Sequence, residues 1–189
     1  MLDPSFTHFG VVRALLDLGS LTFEPLVMQT IVTEPAKKAD RKVVRKNSTD
    51  LGRCKTILKG YIPVIQGCRV VFAEIPTGAQ SARAAFSFGV ATMAVAACPV
   101  PVIQVQPTET KMATVGTKTA SKEEMIEWAV ATYPNAPWLR EERKGKNHGR
   151  ILNSNEHMAD ALAVGHAGVL TDQFQQLLPL MRQALMKAA

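Results

Sequence analysis

Apolar residues along this 189-residue chain come in short blocks whose spacing separates strands from helices. Near the start, HFGVVRALL (8 to 16) and LTFEPLVMQTIVTE (21 to 34) are β-branched and apolar, joined by DLGS (17 to 20), a turn by composition. They predict an antiparallel meander beginning at Met1. STDLGRCKTILKGYIPVI (48 to 65) opens with a helix start signal and sets Leu51, Cys54, Ile57 and Leu58 at helical spacing. RVVFAEI (69 to 75) and VPVIQVQP (100 to 107) are apolar without alternation, the pattern of strands covered on both faces. Between them, AQSARAAFSFGVATMAVAAC (79 to 98) is a helix apolar on nearly every face. SKEEMIEWAVATY (121 to 133) reads as a capped helix, and a last helix over 171–189 follows Thr171-Asp172, with Pro179 bending or restarting it. The elements run β-β-β-α-β-α-β and then helical. This predicts one α/β domain over 1–189, a central mixed five-stranded sheet flanked by helices.

Composition narrows the class. Hydrophobic residues make up 47% and charged residues 20%, as in a soluble globular protein. The longest apolar run, around 84 to 103, is interrupted by Ser87, Gly89, Pro99 and Pro101, so no membrane span is expected. No signal peptide is visible. Cys54, Cys68 and Cys98 are scattered and odd in number, which fits a reducing cytoplasm and argues against a disulfide framework or a structural zinc site.

The net charge of +6 is unevenly placed. Segments 35–60 and 138–150 hold fourteen basic residues against four acids, and the rest of the chain holds eight against twelve. Two basic segments on a mildly acidic body favour a polyanionic partner, most simply nucleic acid.

The segment NSNEHMADALAVGHAG (153 to 168) carries Glu156, His157 and Asp160 at the start of an alanine- and glycine-rich helix. Asn153, Ser154 or Asn155 can cap it, and an acid in its first turn suits the helix dipole. Asp160 lies beyond that turn, on a small-residue face shared with His157. Two further acids have unusual settings. Asp3 stands at a strand-to-turn edge before Pro4, and Glu74 ends the apolar run VVFAE. Singly, each has an ordinary reading as an edge, capping or surface acid. Together they suggest carboxylates forced to converge, which repel unless a cation neutralises them. Oxygen ligands select hard ions such as Mg²⁺ or Mn²⁺, and a pair of such ions can hydrolyse a phosphodiester.

LDPSFTHFGVV, VVFAEIPTGAQSARAAFSFGVATMAVAA, PVIQVQPTETKMATVGTKTASKEEM and HMADALAVGHA, taken in order, resemble the successive blocks of the RuvC family of Holliday-junction resolvases, within the RNase H-like superfamily. The resemblance spans about residues 1 to 168. It implies an RNase H-like fold and a Mg²⁺-dependent endonuclease with two ions per site, Mn²⁺ able to substitute, that cuts four-way junctions symmetrically as a homodimer. The metal site it implies falls on Asp3, Glu74, His157 and Asp160. Lys111 and Lys122 match family lysines near the scissile phosphate, with Lys118 close by. Helix 79 to 98 matches the family's dimer helix. His8, His148 and His166 match no role and are expected to be exposed or core histidines.

The chain also departs from the family pattern. The loop Ile75-Pro76-Thr77-Gly78, where the family carries its wedge into the junction centre, has no aromatic residue. Segment 138–150 is longer and more basic than in compact bacterial members, and in this resembles phage-encoded ones. Arg140, Arg143, Lys144, Lys146 and Arg150 form one candidate DNA surface. Lys37, Lys38, Arg41, Lys42, Arg45 and Lys46 form another, and Gln80 and Arg83 are candidates beside them. Only Met1 and Leu2 precede Asp3, a short stump for a central strand, which allows for residues upstream. Rival readings are a relative that prefers flaps or forks and a catalytically silent branched-DNA-binding module. A sugar-kinase-like phosphotransferase fits less well, because the chain lacks glycine-rich phosphate loops.

Overall fold

The structure is a computed structural model that describes residues 1–35, 46–75 and 78–188. Five strands form one sheet in the order β3-β2-β1-β4-β5. β1 (Leu2–Asp3), β2 (His8–Leu16) and β3 (Phe23–Val32) make the antiparallel meander. β4 (Val71–Glu74) lies parallel to β1, and β5 (Val102–Val105) parallel to β4. The sheet is therefore mixed, as the apolar patterning predicts. β1 is only two residues long yet central. Pro25 falls in β3, an edge strand, where a missing N–H is tolerated.

Alternation along the strands sorts side chains between two cores. Leu2, Val11, Val71 and Ala73 pack against Ile57, Tyr61 and Ile65 of α1 (Lys46–Ile65) and Ala94 and Val95 of α2 (Ala82–Ala96). Met1, Val12, Phe72 and Ile103 face the other way, onto α5 (Glu156–Gly168) and α6 (Asp172–Ala188). α3 (Pro107–Thr114) and α4 (Lys122–Thr132) cover the outer side of α5. That double cover explains the alanine and glycine of α5: Ala159, Ala161, Ala163, Gly165, Ala167 and Gly168 are all buried.

Several boundaries differ from the sequence expectation. The apolar pattern ends at residue 107 and marks no helix there, yet α3 follows at once. It is an eight-residue helix begun by Pro107 at its first position and by a Gln106–Glu109 capping box. No restart occurs at Pro179: the last helix is continuous over Asp172–Ala188. Asn155 stands at the N-cap of α5 but makes no side-chain cap bond. Its amide is committed elsewhere: Oδ1 accepts from the Leu139 N–H at 2.8 Å, and Nδ2 donates to the carbonyls of Leu139 and Leu152 at 2.8 and 2.7 Å. Segment 138–150 is folded back on itself, with an Arg140–Ile151 bridge and a 2.8 Å bond from the Glu141 N–H to the Arg150 carbonyl.

Candidate metal and nucleic-acid site

The two strand acids share a face because of register. Leu2 pairs with Ala73 and points with it toward α1, so the next residue on each strand, Asp3 and Glu74, points toward α5. On the other side Asp3 pairs with Gly10. A Cβ at Gly10 would lie 2.1 Å from the His157 carbonyl oxygen, so glycine here lets the first turn of α5 press onto the sheet. His157 and Asp160, one turn apart on α5, are carried to the end of β1 by that approach.

Ligand atoms of Asp3, His157 and Asp160 all lie within 4.8 Å of one another. His157 Nδ1 donates to Asp3 Oδ2 at 2.9 Å. Glu74 stands beside this trio and not within it; its Oε2 accepts from the Thr110 hydroxyl at 3.1 Å. Burial pushes the Asp160 carboxyl up to about 7, with the charges of Asp3, Glu74 and Glu156 adding to the effect. Burial and then Asp3 push Glu74 up to about 7, against the hydrogen bond from Thr110 and the nearby charge of Lys111. Burial opposes charge on His157, yet the hydrogen bond and charge of Asp3, helped by Glu156 and Asp160, leave its pKa above the ordinary value. The site is thus a cluster of acids that His157 and Lys111 compensate only in part, and it gains from a further cation. Two carboxylates and an imidazole, with a further carboxylate alongside, are a donor set that fits a divalent cation.

The other candidate residues fall in several places. Lys111 is part-buried and donates to the Ala120 carbonyl at 2.8 Å. Lys122 is exposed, with Nζ 2.7 Å from Glu156, and that bond is what raises its pKa. Glu156 is therefore a lysine partner as well as a first-turn acid. Lys118 is exposed on the loop between α3 and α4. Arg83 is paired with Asp50 at 3.2 Å, and its guanidinium lies 5.1 Å from the Phe86 ring centroid. Arg143, Lys144 and Lys146 are exposed on the folded 138–150 segment. Lys37, Lys38, Arg41, Lys42 and Arg45 lie outside the described residues, as do the Lys46 side chain and the centre of the 75–78 loop.

Three features of the site are not foreseen from the sequence. The His8 ring stacks on His157, centroids 5.1 Å apart and planes 9° apart. Thr110 holds Glu74, and Asn155 ties segment 139–152 to the start of α5. His8 lies only five residues beyond Asp3, which is the one local hint of its place. His166 behaves as expected of a core histidine, bonded to the Tyr133 hydroxyl and packed against Trp128, with burial lowering its pKa.

Among solved structures, the chain is similar to T. thermophilus RuvC in complex with a Holliday junction substrate, with a TM-score of 0.60 and 23% identity over 88% of each chain. It is similar also to a second Thermus thermophilus RuvC structure, with a TM-score of 0.52 and 22% identity, covering 88% of this chain and 89% of that one. No protein-family model and no curated protein matches it. The fold is that of RuvC, an α/β, RNase H-like arrangement of a mixed five-stranded sheet and helices. Among the described residues, no helix is long and apolar enough to cross a membrane.

Proposed function

We propose that this protein is a RuvC-type endonuclease that resolves four-way DNA junctions by symmetric, Mg²⁺-dependent phosphodiester hydrolysis in recombination and repair. The observation that carries the reading is the meeting of Asp3, His157 and Asp160, contributed by residues up to 157 positions apart, at one point of a RuvC fold.

Asp3, Asp160 and His157, with Glu74 beside them, would hold the metal. A bound divalent metal would supply Lewis-acid activation of water and charge neutralisation at the phosphate. The chain's own groups do the rest. Asp3 accepts the Nδ1 proton of His157, which fixes the ring orientation and leaves Nε2 free to bind or to accept a proton. Lys111 and Lys122, near Glu74 and Asp160 respectively, supply positive charge where a phosphate would arrive. The exposed 138–150 segment, with Arg143, Lys144 and Lys146, would grip a DNA arm through its phosphates. Lys118, Arg83, Lys42, Arg45 and Lys46 are further candidates for that role.

A homodimer would match a two-fold junction with two cutting sites. The outer face of α2 supports it. Phe86 and Met93 are 43% and 66% exposed, and a groove of about 450 Å³ between α1 and α2 is lined by Cys54, Leu58, Val90 and Ala97. α6, the other element that could cover α2, packs on the opposite face of the sheet.

The test is a gel assay with Mg²⁺ on labelled four-way, flap and linear DNA. Paired symmetric nicks in the four-way substrate are expected. Flaps or forks cut in preference would favour the second reading, which the absence of an aromatic residue in the 75–78 loop supports. No cleavage of any branched substrate would refute both and leave a silent binding module.

A further inference from the structure

We propose that the groove beside His157 is a subsite for an unstacked nucleotide flanking the cut phosphate, its base laid against the His8 ring; this rests on the junction-endonuclease reading above. The groove measures about 680 Å³, and its walls include Thr7, His8, Thr30, Lys122, Ser154 and His157. That volume suits one nucleoside.

His157 belongs to both the carboxylate cluster and the groove wall, so a phosphate held at the cluster places its own sugar and base at the groove mouth. His8 is stacked on His157 on one side and is exposed otherwise. An exposed flat ring beside a phosphate site is a platform for any base, because every base has a π-face. Thr30 lies on the same wall. Lys122, steadied by Glu156, brings a cation to the same wall. A base inside a duplex stack cannot enter such a groove, whereas one at a branch point is already partly unstacked.

The experiment is a coupling measurement on the full chain. Affinities for four-way junctions are determined with Ca²⁺ in place of Mg²⁺, so that the carboxylates hold a cation while cutting is blocked, with an abasic site walked along the five nucleotides either side of the branch. The parent, His8→Ala and His8→Phe are compared on each substrate. At one position next to the mapped cut, the abasic change should weaken parental binding roughly five- to fiftyfold. His8→Ala should show the same loss on intact DNA and no further loss on the abasic substrate, while His8→Phe should stay near the parent. Losses that multiply at every position, or a Phe variant no better than Ala, would overturn the subsite. If the parent cuts four-way DNA while the losses multiply, the subsite falls alone. If the parent neither binds nor cuts branched DNA, the functional reading falls and the subsite with it.

Discussion

His157 Nδ1 lies 2.9 Å from Oδ2 of Asp3, so the first turn of α5 is bonded to the end of a two-residue central strand 154 positions away. A carboxylate can only accept, so the proton sits on Nδ1 and the other ring nitrogen is left for chemistry. We predict that Asp3→Asn, Glu74→Gln and Asp160→Asn each reduce junction cutting by more than about a hundredfold, beyond the loss usual for partners outside the ligand set. Junction affinity in gel shift should remain close to parental, because the proposed phosphate contacts are made by basic residues outside the cluster. Parental cleavage by any one of these variants removes that residue from the site.

The shifted acids make the metal-free protein sensitive to pH. Asp160 moves from 3.8 to about 7 and Glu74 from 4.5 to about 7 on folding. Both folded values lie above the unfolded ones, so between about pH 4 and 7 the unfolded chain holds fewer protons, and stability falls as pH rises through that window. At pH 8 in EDTA, Asp160→Asn should therefore be more stable than the parent, by roughly 1–3 kcal/mol in urea melts. Mg²⁺ should raise the parental midpoint at pH 8 and raise that of the variant far less. A parent whose stability is flat from pH 4 to 8 in EDTA would contradict the crowding of these carboxylates.

How far the sequence exposes this site depends on the range of each cause. Asp3, Glu74 and Asp160 are readable because their anomaly is local: an acid at the end of an apolar run or on a small-residue helix face stands out from its own neighbours. The five strands and their mixed order follow from patterning of the same local kind. The stacking of His8 on His157 is different in kind, since it depends on β2 pairing with β1 and on α5 crossing both at Gly10. Thr110 is hidden because α3 is short and polar, so neither apolar period nor length marks it. Asn155 has the sequence position of a helix cap, and only the folded path of 139–152 gives its amide other partners.

That amide anchors the basic segment to the helix that carries His157 and Asp160. Asn155 is fully buried and makes three bonds to the backbone of Leu139 and Leu152. We predict that Asn155→Ala costs about 2–4 kcal/mol, because it leaves buried backbone groups unpaired, and opens 140–150 to limited proteolysis. Unchanged protease resistance would show that the Arg140–Ile151 bridge alone suffices.

The segment's charge is separable from its anchoring. Arg143, Lys144 and Lys146 are exposed, so replacing all three by alanine should spare the fold. Junction affinity should fall, and the slope of log affinity against log salt should become shallower by roughly 2–3, about one unit for each phosphate that is no longer neutralised. An unchanged salt slope would place the DNA on another face of the molecule.

α2 is apolar on a side that no other described element covers. Ala91, Ala94 and Val95 are buried toward the sheet, while Met93 is largely and Phe86 partly exposed over the groove shared with Cys54 and Leu58. An exposed apolar face of this kind marks an interaction surface. A charge at its centre would be desolvated without a partner if a second copy docks there, yet would cost little in a monomer. We predict that Met93→Lys lowers the dimer fraction in sedimentation velocity and leaves the thermal midpoint of the monomer nearly unchanged. It should also convert paired junction nicks into single, uncoordinated ones. A parent that sediments as a monomer at all accessible concentrations would end the dimer reading, and a Met93→Lys protein still dimeric would move the interface elsewhere.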